Sequence, residues 1–240
     1  MKAKIYEANQ RGHADYGWLQ ANYSFSFANY RDANKVQFGA LRVLNDDFIK
    51  GGGGFSEHPH HNMEIISIPL QGGLRHRDSM SNTWLPLLAG EVQVMSAGTG
   101  VRHSERNNSA TEMLNLFQIW IIPDKNGVTP AYDQKTFLAK DRKDTLQLLV
   151  DSYKDAGEEV LKIHQDARIS RIDLSSENTF TYTLKSPHHG VYMMLISGKV
   201  LCDGFTLETR DAAGIWQTDS FSLKAEENAD ILFIEVPMIY

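Results

Sequence analysis

The sequence predicts an all-β chain built as two similar barrels. Three observations carry the prediction. Short runs rich in Val, Ile, Leu and aromatic residues recur along the 240 residues, separated by Gly, Asn, Asp and Ser, which is the spacing of a sandwich or barrel. Apolar positions at helical spacing are sparse. A faint internal repeat also runs through the chain. Leu70-Gln71-Gly72, Leu88-Ala89-Gly90 and Ile119-Trp120-Ile121-Ile122-Pro123 in the first half answer to Ile196-Ser197-Gly198, Ala212-Ala213-Gly214 and Ile234-Glu235-Val236-Pro237 in the second. The later half is shortened in the stretch that carries His103 and Glu105 in the first. This gives one barrel with a site and one without. The boundary falls in the polar, Pro-containing residues 124–144, placing one domain at 1–132 and the other at 133–240.

The elements follow in order. Alternation in Tyr23-Ser24-Phe25-Ser26-Phe27 puts three rings on one face of a strand, where core packing is expected and the lining of a site for an aromatic ligand is the alternative. Gly51-Gly52-Gly53-Gly54 suits a tight turn or a close approach of backbone to a ligand at a barrel mouth. Val92-Gln93-Val94-Met95 and residues 116–122 read as strands. Residues 145–151 are ambiguous between strand and helix, and 152–157 form a helical turn or a loop. Residues 191–196 and 231–236 are strands again.

Composition limits the function. The chain is 42% hydrophobic and 22% charged, and its net charge is −6. No dense basic patch exists, so there is no electrostatic footprint for nucleic acid. The single Cys202 cannot form an intrachain disulfide, consistent with a reducing compartment. The N-terminal residues lack an apolar signal segment, and no apolar run approaches the roughly 20 residues that span a bilayer. A cytoplasmic monomer with no membrane contact is expected.

The chemistry is concentrated in two short pairs, His58-Pro59-His60 and His103-Ser104-Glu105. Residues two apart on a strand share a face, so each pair can aim two donors at one point. Three imidazoles and one carboxylate suit a first-row transition ion with open positions. A thiolate site is excluded by the lone cysteine. Spacing leaves the carboxylate open: continuing the alternation from His58 and His60 reaches Asn62 and Glu64, so Glu64 competes with Glu105. His61 should face outward, and His76, in Arg75-His76-Arg77-Asp78, reads as part of a polar strand end. His13 has no spacing that ties it to the site. His188 and His189 are adjacent and point to opposite faces, so they cannot share an ion.

Residues 53–60, then Met63-Glu64-Ile65-Ile66, then residues 96–105 together resemble the two metal-binding motifs of the pirin family. Residues 12–19, 24–30 and Ala40-Leu41-Arg42-Val43-Leu44-Asn45-Asp46-Asp47 resemble its bacterial branch. The likeness is close over about residues 10–132 and holds only in outline beyond. It implies a bicupin, two double-stranded β-helix (jelly-roll) barrels packed face to face with a metal in the N-terminal one. It implies His58, His60, His103 and Glu105 as the ligands, with Glu64 behind them or packing the barrel. The implied ion is one divalent transition metal, Fe(II) first, with Ni, Cu, Mn, Co or Zn as substitutes. The implied activity is oxygen-dependent cleavage of a flavonol-like aromatic, of the quercetin 2,3-dioxygenase type, with Glu105 taking the substrate's hydroxyl proton. The alternative is a non-catalytic metal-binding protein that serves as a partner-binding regulator or redox sensor. The chain departs from the family pattern at His61, Asn62, Ser81 and Pro69, around the motifs rather than at the four ligands. A proline at position 69 predicts an edge or a bulge.

Overall fold

The computed structural model of the chain describes residues 1–239. Each half contributes one seven-stranded and one four-stranded antiparallel-rich sheet, and the only helices among the described residues are two short 3-10 turns. The runs picked out by composition become the strands Glu91–Ser96, Leu114–Ile121, His189–Ser197 and Ala229–Pro237. The ambiguous stretch resolves as the strand Gln147–Ser152, followed by a turn. No helix among the described residues is long and apolar enough to cross a membrane.

The two seven-stranded sheets pack face to face, and alternation explains their unbroken apolar runs. In His189–Ser197, Tyr192, Met194 and Ile196 join the core between the sheets. Val191, Met193 and Leu195 point the other way, into the second barrel. In Leu114–Ile121, Phe117, Ile119 and Ile121 join the shared core. The alternate residues Leu116, Gln118 and Trp120 face into the first barrel. A strand buried on both faces has no polar face to display. The second barrel is filled by Phe221, Phe233, Leu223 and Val200 with the residues just named. Each such side chain contributes roughly 1.5–3 kcal/mol through burial. The matching interior positions of the first barrel include Asn45, Asp47 and Gln118, which line an open cavity. One barrel is a packed core and the other a container.

The halves are tied together by more than apolar contact. The first strand, Lys2–Tyr6, pairs with Ala212–Trp216 of the C-terminal sheet. The expected boundary at 132/133 falls inside the strand Ala131–Thr136, which pairs with Glu91–Ser96 of the N-terminal sheet. The repeat also shifts: Gly72 (φ 75°) and Gly198 (φ 96°) occupy equivalent turns. The counterpart of Gly90 (φ 91°), however, is Arg210 (φ 71°), since Gly214 lies within a strand. A non-glycine residue in the left-handed region is uncommon. Here the side chain has a reason to be held there. The Arg210 guanidinium donates to Asn115 Oδ1 at 3.0 Å and lies 3.6 Å from Asp46 Oδ2, reaching across to the first barrel.

One predicted feature takes a different form, and a second takes one of its two expected forms. Tyr23, Phe25 and Phe27 do not share one face, because the strand ends at Tyr23. Phe25 turns into the core between the barrels, 5.4 Å from Tyr192, while Tyr23 and Phe27 face the cavity. Pro69 sits beside a register shift between Asn115 and Leu116, the bulge its missing donor demands.

Candidate functional site

His58 and His60 lie on the strand Gly54–His60, and His103 and Glu105 on its antiparallel neighbour Val101–Asn107. His103 stands opposite His58, then the register shifts so that Glu105 stands opposite Phe55. The extra residue between Phe55 and His58 is a bulge that re-aims the side chains around it. Gly54 completes the approach: a Cβ there would sit 2.5 Å from the backbone of Glu105 and the Cβ of Arg106, so only glycine fits.

The three imidazoles converge. His103 Nε2 lies 2.9 Å from His58 Nε2 and 3.0 Å from His60 Nε2, and one nitrogen from each ring falls within 4.8 Å of the others. His58 Nδ1 is 2.8 Å from the carbonyl of Ser56. A carbonyl only accepts, so Nδ1 carries a proton and Nε2 is the ring atom turned to the cluster. Burial, and then the other imidazoles, push His60 and His103 down to about 3. Both rings are therefore neutral at ordinary pH. Neutral nitrogens that crowd to 3 Å cannot all satisfy one another, whereas a cation satisfies them together. For metal–nitrogen bonds of about 2.1 Å, adjacent ligands at a right angle lie roughly 3.0 Å apart and tetrahedral ones roughly 3.4 Å. The two short separations are of the size that nitrogens sharing one ion would have.

Glu105 is buried in the same cavity wall, outside the histidine group. Gln118 Nε2 donates to both of its oxygens, at 3.2 and 3.3 Å. Burial raises its pKa, against the pull of His76 and His58 and the Gln118 hydrogen bond.

His76 was legible as more than a strand end. Leu74, His76 and Asp78 alternate inward while Arg75 and Arg77 face out. His76 is fully buried, stacks on Tyr132 at 5.1 Å, and lies 5.6 Å from the His103 ring and 3.5 Å from Asp78 Oδ2. Its register partner is Glu105. The alternation signal was present, but the flanking arginines and aspartate masked it.

Glu64 does not reach the histidines. Asn62 adopts φ 45°, breaking the strand between His60 and Glu64 and ending the alternation. Glu64 instead accepts from Ser96 Oγ at 2.6 Å, and burial pushes it up to about 7. His61 is exposed, and His13 pairs with Asn22 away from the cavity. In the second half His188 is exposed, while His189 is buried against Glu235 at 2.9 Å. Among the described residues, His58, His60 and His103 form the one cluster of metal-capable groups.

The cavity that opens onto these residues measures about 500 Å³. Its apolar walls come from Trp18, Phe27, Phe55, Ile65 and Trp120. Phe27 meets Trp120 edge-on at 5.3 Å, and Trp18 meets Phe55 edge-on at 5.2 Å.

A family model described as pirin matches residues 4–121, and one described as a quercetinase C-terminal cupin domain matches residues 149–236. The chain is 42% identical to a quercetin 2,3-dioxygenase of Escherichia coli K12, over 97% of this chain and 98% of that protein. It is 40% identical to a pirin-like protein of Caulobacter vibrioides, over 93% of this chain and 95% of that one. Among solved structures, the nickel(II) complex of the bacterial pirin YhhW from Escherichia coli superposes with a TM-score of 0.92. That match is at 40% identity and covers 99% of this chain and 100% of the other.

Proposed function

The chain belongs to the pirin family, and from that premise we propose that it is a metal-dependent dioxygenase that cleaves a flavonol-like aromatic with O₂. The observation that carries this reading is the meeting of three imidazoles in an aromatic-walled cavity whose wall also holds the buried Glu105 carboxyl. His58, His60 and His103, with Glu105 as the fourth donor, would hold one divalent transition ion. Fe(II) is the first choice, and Ni, Cu, Mn, Co or Zn are substitutes, because nitrogen and oxygen donors accept this whole series. Relatives named as quercetin 2,3-dioxygenases and the nickel-bound pirin neighbour support it. When bound, such an ion supplies Lewis acidity that lowers the pKa of a coordinated hydroxyl and orients it.

The chain's own residues supply the rest. Glu105, its proton affinity raised by burial, accepts the substrate's hydroxyl proton. Gln118 holds both carboxylate oxygens and keeps Glu105 turned toward the cavity. Trp18, Phe27, Phe55 and Trp120 exclude water from the reacting ring. His76, between Tyr132 and His103, fixes the back of the histidine cluster.

The test is to load the protein with Fe(II) under argon, add quercetin, and admit O₂. Stoichiometric O₂ uptake with carbon monoxide release is expected. No uptake across a panel of flavonols would refute the enzyme and leave a metal-holding protein that works by binding a partner.

A further inference from the structure

Three neighbouring residues of one strand, Asn45, Asp46 and Asp47, are all buried, yet they are treated in opposite ways. Asp46 points toward the second barrel and is fully partnered. Arg11 and Arg210 lie 3.5 and 3.6 Å from its Oδ2, and Asn115 Nδ2 donates to its Oδ1 at 2.8 Å. Asn45 and Asp47 point the other way, into the first barrel, and both line the cavity. Asn45 Oδ1 and Asp47 Oδ1 are sealed from solvent and have no hydrogen-bond partner in the protein.

An unpartnered buried carboxyl is rare, because the lost hydration costs several times what an ordinary hydrogen bond returns. Burial, Asp46 and Glu105 all raise the pKa of Asp47, and no donor offsets them. The cation that would normally accompany such a group was given to Asp46, one residue away. The two orphan oxygens are two residues apart on one face of a strand. Asn45 pairs in register with Gln118, which itself grips Glu105. The pair therefore stands on the large sheet and faces Glu105, which shares the small sheet with the histidines.

We propose that Asp47 and Asn45 form a second recognition subsite that binds a further hydroxyl of the substrate, distinct from the hydroxyl at the metal centre, and so select polyhydroxylated aromatics over the bare ring system. The inference rests on the proposed aromatic substrate and deepens it. A phenolic hydroxyl both donates and accepts, which is what a carboxyl and an amide carbonyl without partners require. The apolar walls position the ring but cannot count its hydroxyls. A site that hydrogen-bonds a hydroxyl rejects the analogue lacking it, because the site's own buried groups are then left unpaired.

The experiment uses the Ni(II)-loaded protein under argon, so that binding is read without turnover. Quercetin and the parent flavonol, which carries only the 3-hydroxyl, are titrated against the wild-type chain and against Asp47→Leu and Asp47→Ala, with metal content measured in each. The wild type is expected to prefer quercetin by about tenfold or more, the size of one hydrogen bond to a buried charged or polar group. Both variants should keep their metal and their affinity for the parent flavonol, and lose most of that preference. If wild type binds both flavonols and the variants weaken both alike, or change neither, the subsite is overturned while the substrate class stands. If the wild type binds neither flavonol, the proposed substrate class falls and the subsite falls with it.

Discussion

The neutral, buried state of His103 can be tested by stability alone, without substrate or metal. The perturbation is His103→Asn in the metal-free chain, compared with wild type in urea from pH 7.5 down to pH 5. His103 is buried to 1% exposure, and its pKa is held at about 3 by burial and then by His58 and His76. In the unfolded chain it returns to about 6.5. A group whose folded pKa is lowered in this way binds more protons when unfolded at every pH between those values. Its contribution to stability is therefore complete above pH 6.5 and is lost as pH falls toward 3. Each pH unit within the window is worth about 1.4 kcal/mol, so about 2 kcal/mol should be lost between pH 6.5 and 5. The difference between wild type and variant is the useful quantity, since Glu64 titrates with the opposite sign. Its folded pKa of about 7 makes stability fall as pH rises. The expected result is a wild-type advantage that shrinks by about 2 kcal/mol over that range. A difference that stays flat with pH would refute the neutral buried imidazole of His103, and with it the argument that its lone pair is free for an ion.

Three further outcomes follow from the same contacts. Glu64→Gln should stabilise the chain by up to about 3 kcal/mol at pH 8 and leave it unchanged at pH 4, because only the ionised form is penalised; urea melts at the two pH values check this. Gln118→Leu strips both oxygens of Glu105 of their donor and should cost about 1–3 kcal/mol in the metal-free chain. Loading with metal should recover part of that loss, as melting with and without Ni(II) would read. Tyr6→Ala empties a site between Phe25 and Tyr192 where the first strand crosses to the other barrel. A loss of about 3–5 kcal/mol is expected, and a near-neutral effect would mean that the strand adds nothing to the joint.

The fold was legible because both barrels write their strands in a simple code. Runs such as Val191 to Ile196 are apolar at every position, and in the structure each face of that strand meets a different core. What sequence could not supply was which strand meets which. The crossing of residues 2–6 to the far sheet is a long-range pairing with no local signal. The shared face of His58 and His60 was legible because alternation is a local rule, while the pairing that sets His103 opposite His58 is a long-range one, with a bulge beside it. The same rule failed for Glu64, since a left-handed residue at Asn62 interrupts the strand it assumed. It failed again for Phe25, because the strand had already ended. His76 was hidden by its charged neighbours, although its inward alternation was readable. Nothing local in the sequence separates Asp47 from Asp46, and only the structure gives partners to Asp46 and leaves Asp47 Oδ1 without one.

The central claim is that His58, His60 and His103, joined by Glu105, grip one ion on the floor of the first barrel. Crystals soaked in Ni(II) and measured at the nickel absorption edge test it directly. The account predicts one strong anomalous peak about 2.1 Å from the three Nε2 atoms, with a Glu105 oxygen completing the set. It predicts no such peak in crystals of His58→Ala. A histidine cluster without a peak, or a peak elsewhere in the chain, would contradict it.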